Sequence, residues 1–284
     1  MYDGAGPGGR PEWRPLDPRR ATDLADARLQ FHHAAQLAAS FGISYLPARP
    51  DDSHTNLEWI DAIGALASNR AGTPARRLAV RPHQLAVLVL DARASVLGTY
   101  PLDGRTIDDA STWIRAQLAE HGFDAARYTL ERHYEIPSHP VDAGASFDGA
   151  RTALFEELAH WYADAATVLE QFASVTPNSS PVRCWPHHFD IATLIDAAPG
   201  KTVGAGMEPG DEYWQEPYFY VNMHPSPNAR TPRGELAGNG LWNTRDWIGA
   251  ALPASRLGPD NQHEQVDAFI RSAVRECLRI LLGG

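Results

Sequence analysis

After its first twenty residues the chain runs twice through one order: a helical stripe, several strand-like runs, and a second helical stripe. In the first pass Leu24, Ala27, Phe31, Ala34, Ala38 and Phe41 recur at three- and four-residue steps, with Thr22 placed to cap this helix and Gly42 to end it. Residues 54–66 read either way, since Thr55 with Glu58 resembles a capping box while Leu57 and Trp59 fit a strand face. Leu85 to Leu90 is a continuous Val/Leu run, as a buried strand requires, and Val96 to Tyr100 is placed to return beside it. Thr106 and Asp109 then cap a helix with Ile107, Ala110, Ile114 and Leu118 on its apolar face. Residues 126–135 alternate like a half-exposed strand. In the second pass Phe155, Leu158, Tyr162, Ala165, Leu169 and Phe172 mark a long helix. Strands are expected over Cys184 to Ile195, Thr202 to Met207 and Tyr218 to Met223, and a last helix buries Val266, Phe269, Ile270, Ala273 and Cys277.

Parallel neighbours need a crossover helix, and here strands outnumber helices, so consecutive strands pair antiparallel and the class is α+β. The expected organisation is a disordered Gly/Pro-rich tail over 1–20 and two similar halves, 21–145 and 146–284, of mostly antiparallel sheet packed by helices. An internal duplication is one origin for that order, and two halves that cover each other's edges would unfold as one cooperative unit, joined by a surface crossing over 138–149.

Composition narrows the function classes. The 284 residues carry 35 acidic and 25 basic side chains, a formal charge of −10, which argues against a nucleic-acid partner. No apolar run approaches the ~20 residues of a membrane helix, and the N-terminal residues lack the apolar core of a signal peptide. Two cysteines, Cys184 and Cys277, are too few for a disulfide framework. A soluble, cytoplasmic protein is the expectation.

Candidate chemistry is concentrated between Cys184 and Trp247. Four of the eight tryptophans lie there (Trp185, Trp214, Trp242 and Trp247), with Tyr213, Tyr218 and Tyr220. Aromatic rings with polar tips suit ligand pockets and interfaces alike. If 216–224 is extended, Glu216, Tyr218, Tyr220, Asn222 and His224 share one face, opposite the apolar Phe219, Val221 and Met223. A solvent-facing strand would carry the same pattern. In a strand over 184–195, His188 and Asp190 also share a face, away from His187. Joined by Glu216 or His224, they could supply nitrogen and oxygen ligands to a divalent metal such as zinc, manganese or non-haem iron, or act as a metal-free general base. An ordinary buried His–Asp pair reads the same. Pro209-Gly210 signals a turn that brings Asp211 and Glu212 to its tip, either as turn caps or as cation ligands. The GxG at 204–206 precedes a turn, so it is no dinucleotide fingerprint. His32 and His33 read as surface or core-rim residues of the first helix.

Phe189-Asp190-Ile191-Ala192, Pro209-Gly210-Asp211 and Glu216-Pro217-Tyr218-Phe219-Tyr220 together resemble a bacterial family known as a domain of unknown function, over nearly the whole chain after residue 20. This chain departs from it at His187 and His188. The resemblance implies no activity, but it groups Asp190, Asp211 and Glu216. The reading is therefore a small-molecule pocket in the second half, as an enzyme or a sensor, with Asp190, His188 and Glu216 as catalytic candidates. Trp185, Asp211, Tyr218, Tyr220, Asn222 and Trp242 are the binding candidates. The rival reading is a non-enzymatic interaction module, a homodimer for example, with the aromatics in its interface.

Overall fold

A computed structural model describes residues 13–231, 233–245 and 247–283. Its elements are α1 (Ala25–Tyr45), β1 (Glu58–Ile60), β2 (Ala65–Ala67), β3 (Arg76–Arg81), β4 (Ala86–Asp91), β5 (Val96–Pro101), α2 (Ile107–Glu120), α3 (Thr152–Val175), β6 (Arg183–Cys184), β7 (Ile191–Ala198), β8 (Lys201–Glu208), β9 (Tyr218–His224), β10 (Leu241–Asn243), β11 (Gly249–Pro253) and α4 (Gln262–Leu282). The class is α+β, with a five-stranded sheet ordered β1-β2-β3-β4-β5 and a six-stranded sheet ordered β10-β11-β9-β8-β7-β6. The strand pairs that set both sheets are antiparallel. No described helix is long and apolar enough to cross a membrane.

The chain divides into two compact units, and the boundary is not the expected one at 145/146. One unit takes 26–159 and 184–189; the other takes the described residues up to Ala25, then 160–183 and 190 onward. In the first, the meander β1–β5 buries Ala65, Ala67, Ala79, Leu88 and Leu90 with Ile60 and Ile63 against them. Small and branched side chains there follow the pleat, as a sheet with a covered face requires. Thr106 and Asp109 form the expected capping box of α2, each side chain accepting from the other's backbone amide. Residues 126–135 are not a strand: a short 3-10 turn over Ala125–Arg127 leads into irregular chain. Local hydrogen bonds, the Ala126 amide donating to Asp124 and the Glu131 amide to Thr129, take the place of a ladder. Residues 138–149 are more than a crossing, because Val141 and Phe147 are buried and Phe147 bridges to Asp103.

In the second unit α4 packs on β8, β9 and β11. The expected tail is ordered over its described part, while 1–12 lie outside the described residues. Leu16 is buried, and the Gln262 side chain accepts from its N–H and donates to its C=O, both at 2.9 Å. Asp164 accepts from the Arg14 amide at 3.0 Å. A 3-10 turn over Pro18–Leu24, capped by Asp17, then delivers the chain to α1.

Each unit draws on both sides of residue 145, so fragments 21–145 and 146–284 each lack part of a core. Expressed separately, neither should give a cooperative melt at the temperature of the intact chain. Gln262→Ala strands two buried backbone groups and should cost about 1–3 kcal/mol in urea unfolding.

Candidate functional site

The site grows from the pairing of β8 with β9. Its register sets Val203 opposite Met223, Ala205 opposite Val221 and Met207 opposite Phe219, and these six are buried. Trp161 of α3 lies 6.1 Å from Phe219 on this core face. The alternate pairs point to the other face: Gly204 opposite Asn222, Gly206 opposite Tyr220, and Glu208 opposite Tyr218. The two glycines leave β8 bare there. A Cβ on Gly206 would stand 2.7 Å from Cζ and Oη of Tyr220, and one on Gly204 would stand 2.6 Å from Oδ1 of Asn222. Tyr220 therefore lies across β8, and its hydroxyl donates to Oδ2 of Asp190 beyond it.

Asp190 immediately precedes Ile191, the partner of Met207, and Glu208 immediately follows Met207. The antiparallel register thus sets Asp190 and Glu208 opposite each other just beyond that rung of the sheet, and each residue is 6% exposed. Tyr218 donates to Oδ2 of Asp211 at 2.6 Å. The other oxygen of Asp211 accepts from the amides of Tyr213 and Trp214 at 2.8 and 2.9 Å, which fixes the loop that carries it. Trp214 packs 4.8 Å from Tyr218, and Trp247 packs 6.0 Å from Trp214 and stacks on Tyr218 at 6.5 Å.

Electrostatics keep both phenols protonated. Withdrawal from water, reinforced by the charge of Asp190, holds Tyr220 well above the ordinary tyrosine range. Burial, then the charge of Glu208 and the bond to Asp211, does the same to Tyr218. The result is a surface with fixed O–H donors, acid acceptors at 190, 208 and 211, and an indole wall. It suits a ligand group that is positive or rich in donors.

The structure brings together Asp190, Asp211, Tyr218 and Tyr220 as expected, with Asn222 farther along the same face. It does not add Glu216. Strand pairing starts at Tyr218, and the Glu216 carboxylate accepts from the amide and hydroxyl of Ser255 at 2.6 and 2.7 Å, holding an exposed turn. Trp242 lies on the opposite face, in register with Ala250 and Val221, and its Nε1 donates to Gly234 O at 2.9 Å. The expected strand over 184–195 is broken: Trp185 to Phe189 turn, closed by the Phe189 amide on Trp185 O at 2.6 Å, with Phe189 at φ 74°. His188 is exposed in that turn, and Trp185 stands edge-on to His187 at 6.1 Å, so the alternation that aligned His188 with Asp190 does not apply. Among the described residues no group of three or more His, Cys, Asp or Glu is arranged to hold a metal ion.

Glu208 was legible only as the end of a period-two series, Gly204, Gly206, Glu208, beneath a turn signal that drew the reading to Asp211. His32 and His33 are not rim residues; both are buried. His32 stacks on Phe189 at 4.4 Å, and its Nε2 lies 2.8 Å from Pro186 O. Burial lowers its pKa from 6.5 to about 3. No family model matches the chain, and neither a curated protein nor a solved structure does.

Gly206→Ala should destabilise the protein by about 1–3 kcal/mol, because the added methyl meets a ring held at both ends. In a Tyr220→Ser background the cost should fall below about 0.5 kcal/mol, which thermal melts of the four proteins in the cycle can measure. Acid stability has a defined sign. The folded state keeps His32 neutral while the unfolded chain protonates it, so stability holds above the ordinary value of 6.5 and is lost as pH falls toward 3. The slope is about 1.4 kcal/mol per pH unit for one such group, and His32→Gln should flatten it in denaturant titrations.

Proposed function

We propose that the chain is a small-molecule-binding protein whose ligand carries a positive, donor-rich group. Asp190, Glu208 and Asp211 receive that group, and Tyr218, Tyr220, Trp214 and Trp247 enclose its apolar part. The observation that carries this reading is the reach of Tyr220 across the bare Gly206 to Asp190. A sheet face needing only stability would be filled with aliphatic side chains, since withdrawn carboxylates are costly unless matched by donors or positive charge. The phenol tips turn inward onto acids instead of presenting a flat aromatic patch, which favours a ligand site over the rival interface reading. Indole and phenol faces add attraction for a cation beside the carboxylates.

Calorimetry with agmatine, spermidine and choline, against acetate and glucose as controls, tests the reading. At least one organic cation should bind, and Asp190→Asn should weaken it tenfold or more, a loss of about 1.4 kcal/mol, with circular dichroism unchanged. Binding of none of the three cations, or equal binding by the variant, would refute it.

A further inference from the structure

The unit built from 26–159 and 184–189 contains a separate cavity of about 510 Å³. That is within the range of small-ligand sites, roughly 300–1,000 Å³. Leu37, Leu130 and Val141 give it an apolar wall, and His33, Arg132 and Asp142 give it charge and polarity.

The polar groups are mismatched in a specific way. His33 of α1 is 1% exposed, and its Nε2 lies 3.0 Å from Pro137 O. A carbonyl only accepts, so Nε2 carries the hydrogen. Burial also disfavours the charged ring, which leaves a lone pair on Nδ1. That Nδ1 faces Oδ1 of Asp142 at 3.7 Å, two acceptors with no hydrogen between them. Nη2 of Arg132 lies 3.7 Å from the same oxygen, too far for a hydrogen bond. Among the described residues the Arg132 guanidinium donates no hydrogen bond at all. The cavity wall therefore holds an acceptor pair that lacks a donor, next to a planar donor fork that lacks a close acceptor.

We propose that this cavity binds a small zwitterion, an α-amino acid with an apolar side chain. Its ammonium donates to His33 Nδ1 and Asp142, and its carboxylate takes the fork of Arg132. Its side chain packs on Leu37, Leu130 and Val141. One ligand thereby supplies both missing partners, and an ammonium and a carboxylate on one carbon match the closeness of the two demands.

The test uses the full chain and calorimetry with L-leucine, 4-methylpentanoate (no ammonium) and isoamylamine (no carboxylate). Leucine should bind with a millimolar or tighter Kd, and each analogue at least tenfold more weakly at this site. Arg132→Gln and Asp142→Asn should each weaken leucine tenfold or more. Arg132→Lys, which keeps the charge and loses the fork, should weaken it by a smaller factor with an unchanged melting temperature. Failure of leucine to bind, equal binding of either analogue, or indifference to Arg132→Gln would overturn the proposal. Asp190→Asn separates the two sites: it should leave leucine binding intact, and any isoamylamine binding it abolishes belongs to the acid–phenol face.

Discussion

The hydrogen bond from Tyr220 to Asp190 is the contact around which the second unit's acid–phenol face is arranged. It requires a strand between the two partners to give up its side chains, which Gly204 and Gly206 do. Glycine in a strand weakens it through lost packing and added chain entropy, so two on one face of β8 is a local cost. The cost is offset because the rings of β9 fill the vacated space and bring donors to acids that burial would otherwise penalise.

The same logic orders the neighbourhood. Asp211 is held by two amides of its own loop, so it can receive Tyr218 without moving, and Trp214 is delivered by that loop to pack on Tyr218. Trp247 completes the wall by folding over Gly249, again a residue without a side chain. The polar groups of the proposed site are thus fixed by the fold itself, the arrangement that lowers the ordering cost of binding.

In the other unit a different device works. The turn over 185–189 leaves Pro186 O within a ladderless loop, and α1 reaches it twice, through His32 Nε2 and through Gln36 Nε2, both at 2.8 Å. Gln36 in turn accepts from the hydroxyl of Tyr134 at 2.9 Å. A buried helix face carrying His32, His33 and Gln36 is an apolar stripe interrupted by groups that tie loops down, which is why amphipathic periodicity finds the helix and misreads its polar members.

How far the sequence reached follows from which interactions are local. Spacings of two and of three or four residues determined the α+β class, the capping box of α2, strands β4, β5, β8 and β9, and the common face of Tyr218, Tyr220 and Asn222. These rest on backbone geometry that adjacent residues settle among themselves. Glu216 and His188 were misplaced where a strand ended or turned sooner than alternation implied, and Trp242 because its strand pairs through β11 with the core face. Only the tertiary structure decided that Glu208 joins Asp190, that Gln262 holds Leu16, and that His33 meets Asp142 beside Arg132. Those contacts join residues from tens to hundreds of positions apart. No local periodicity encodes them, because they depend on which faces the folded chain brings together.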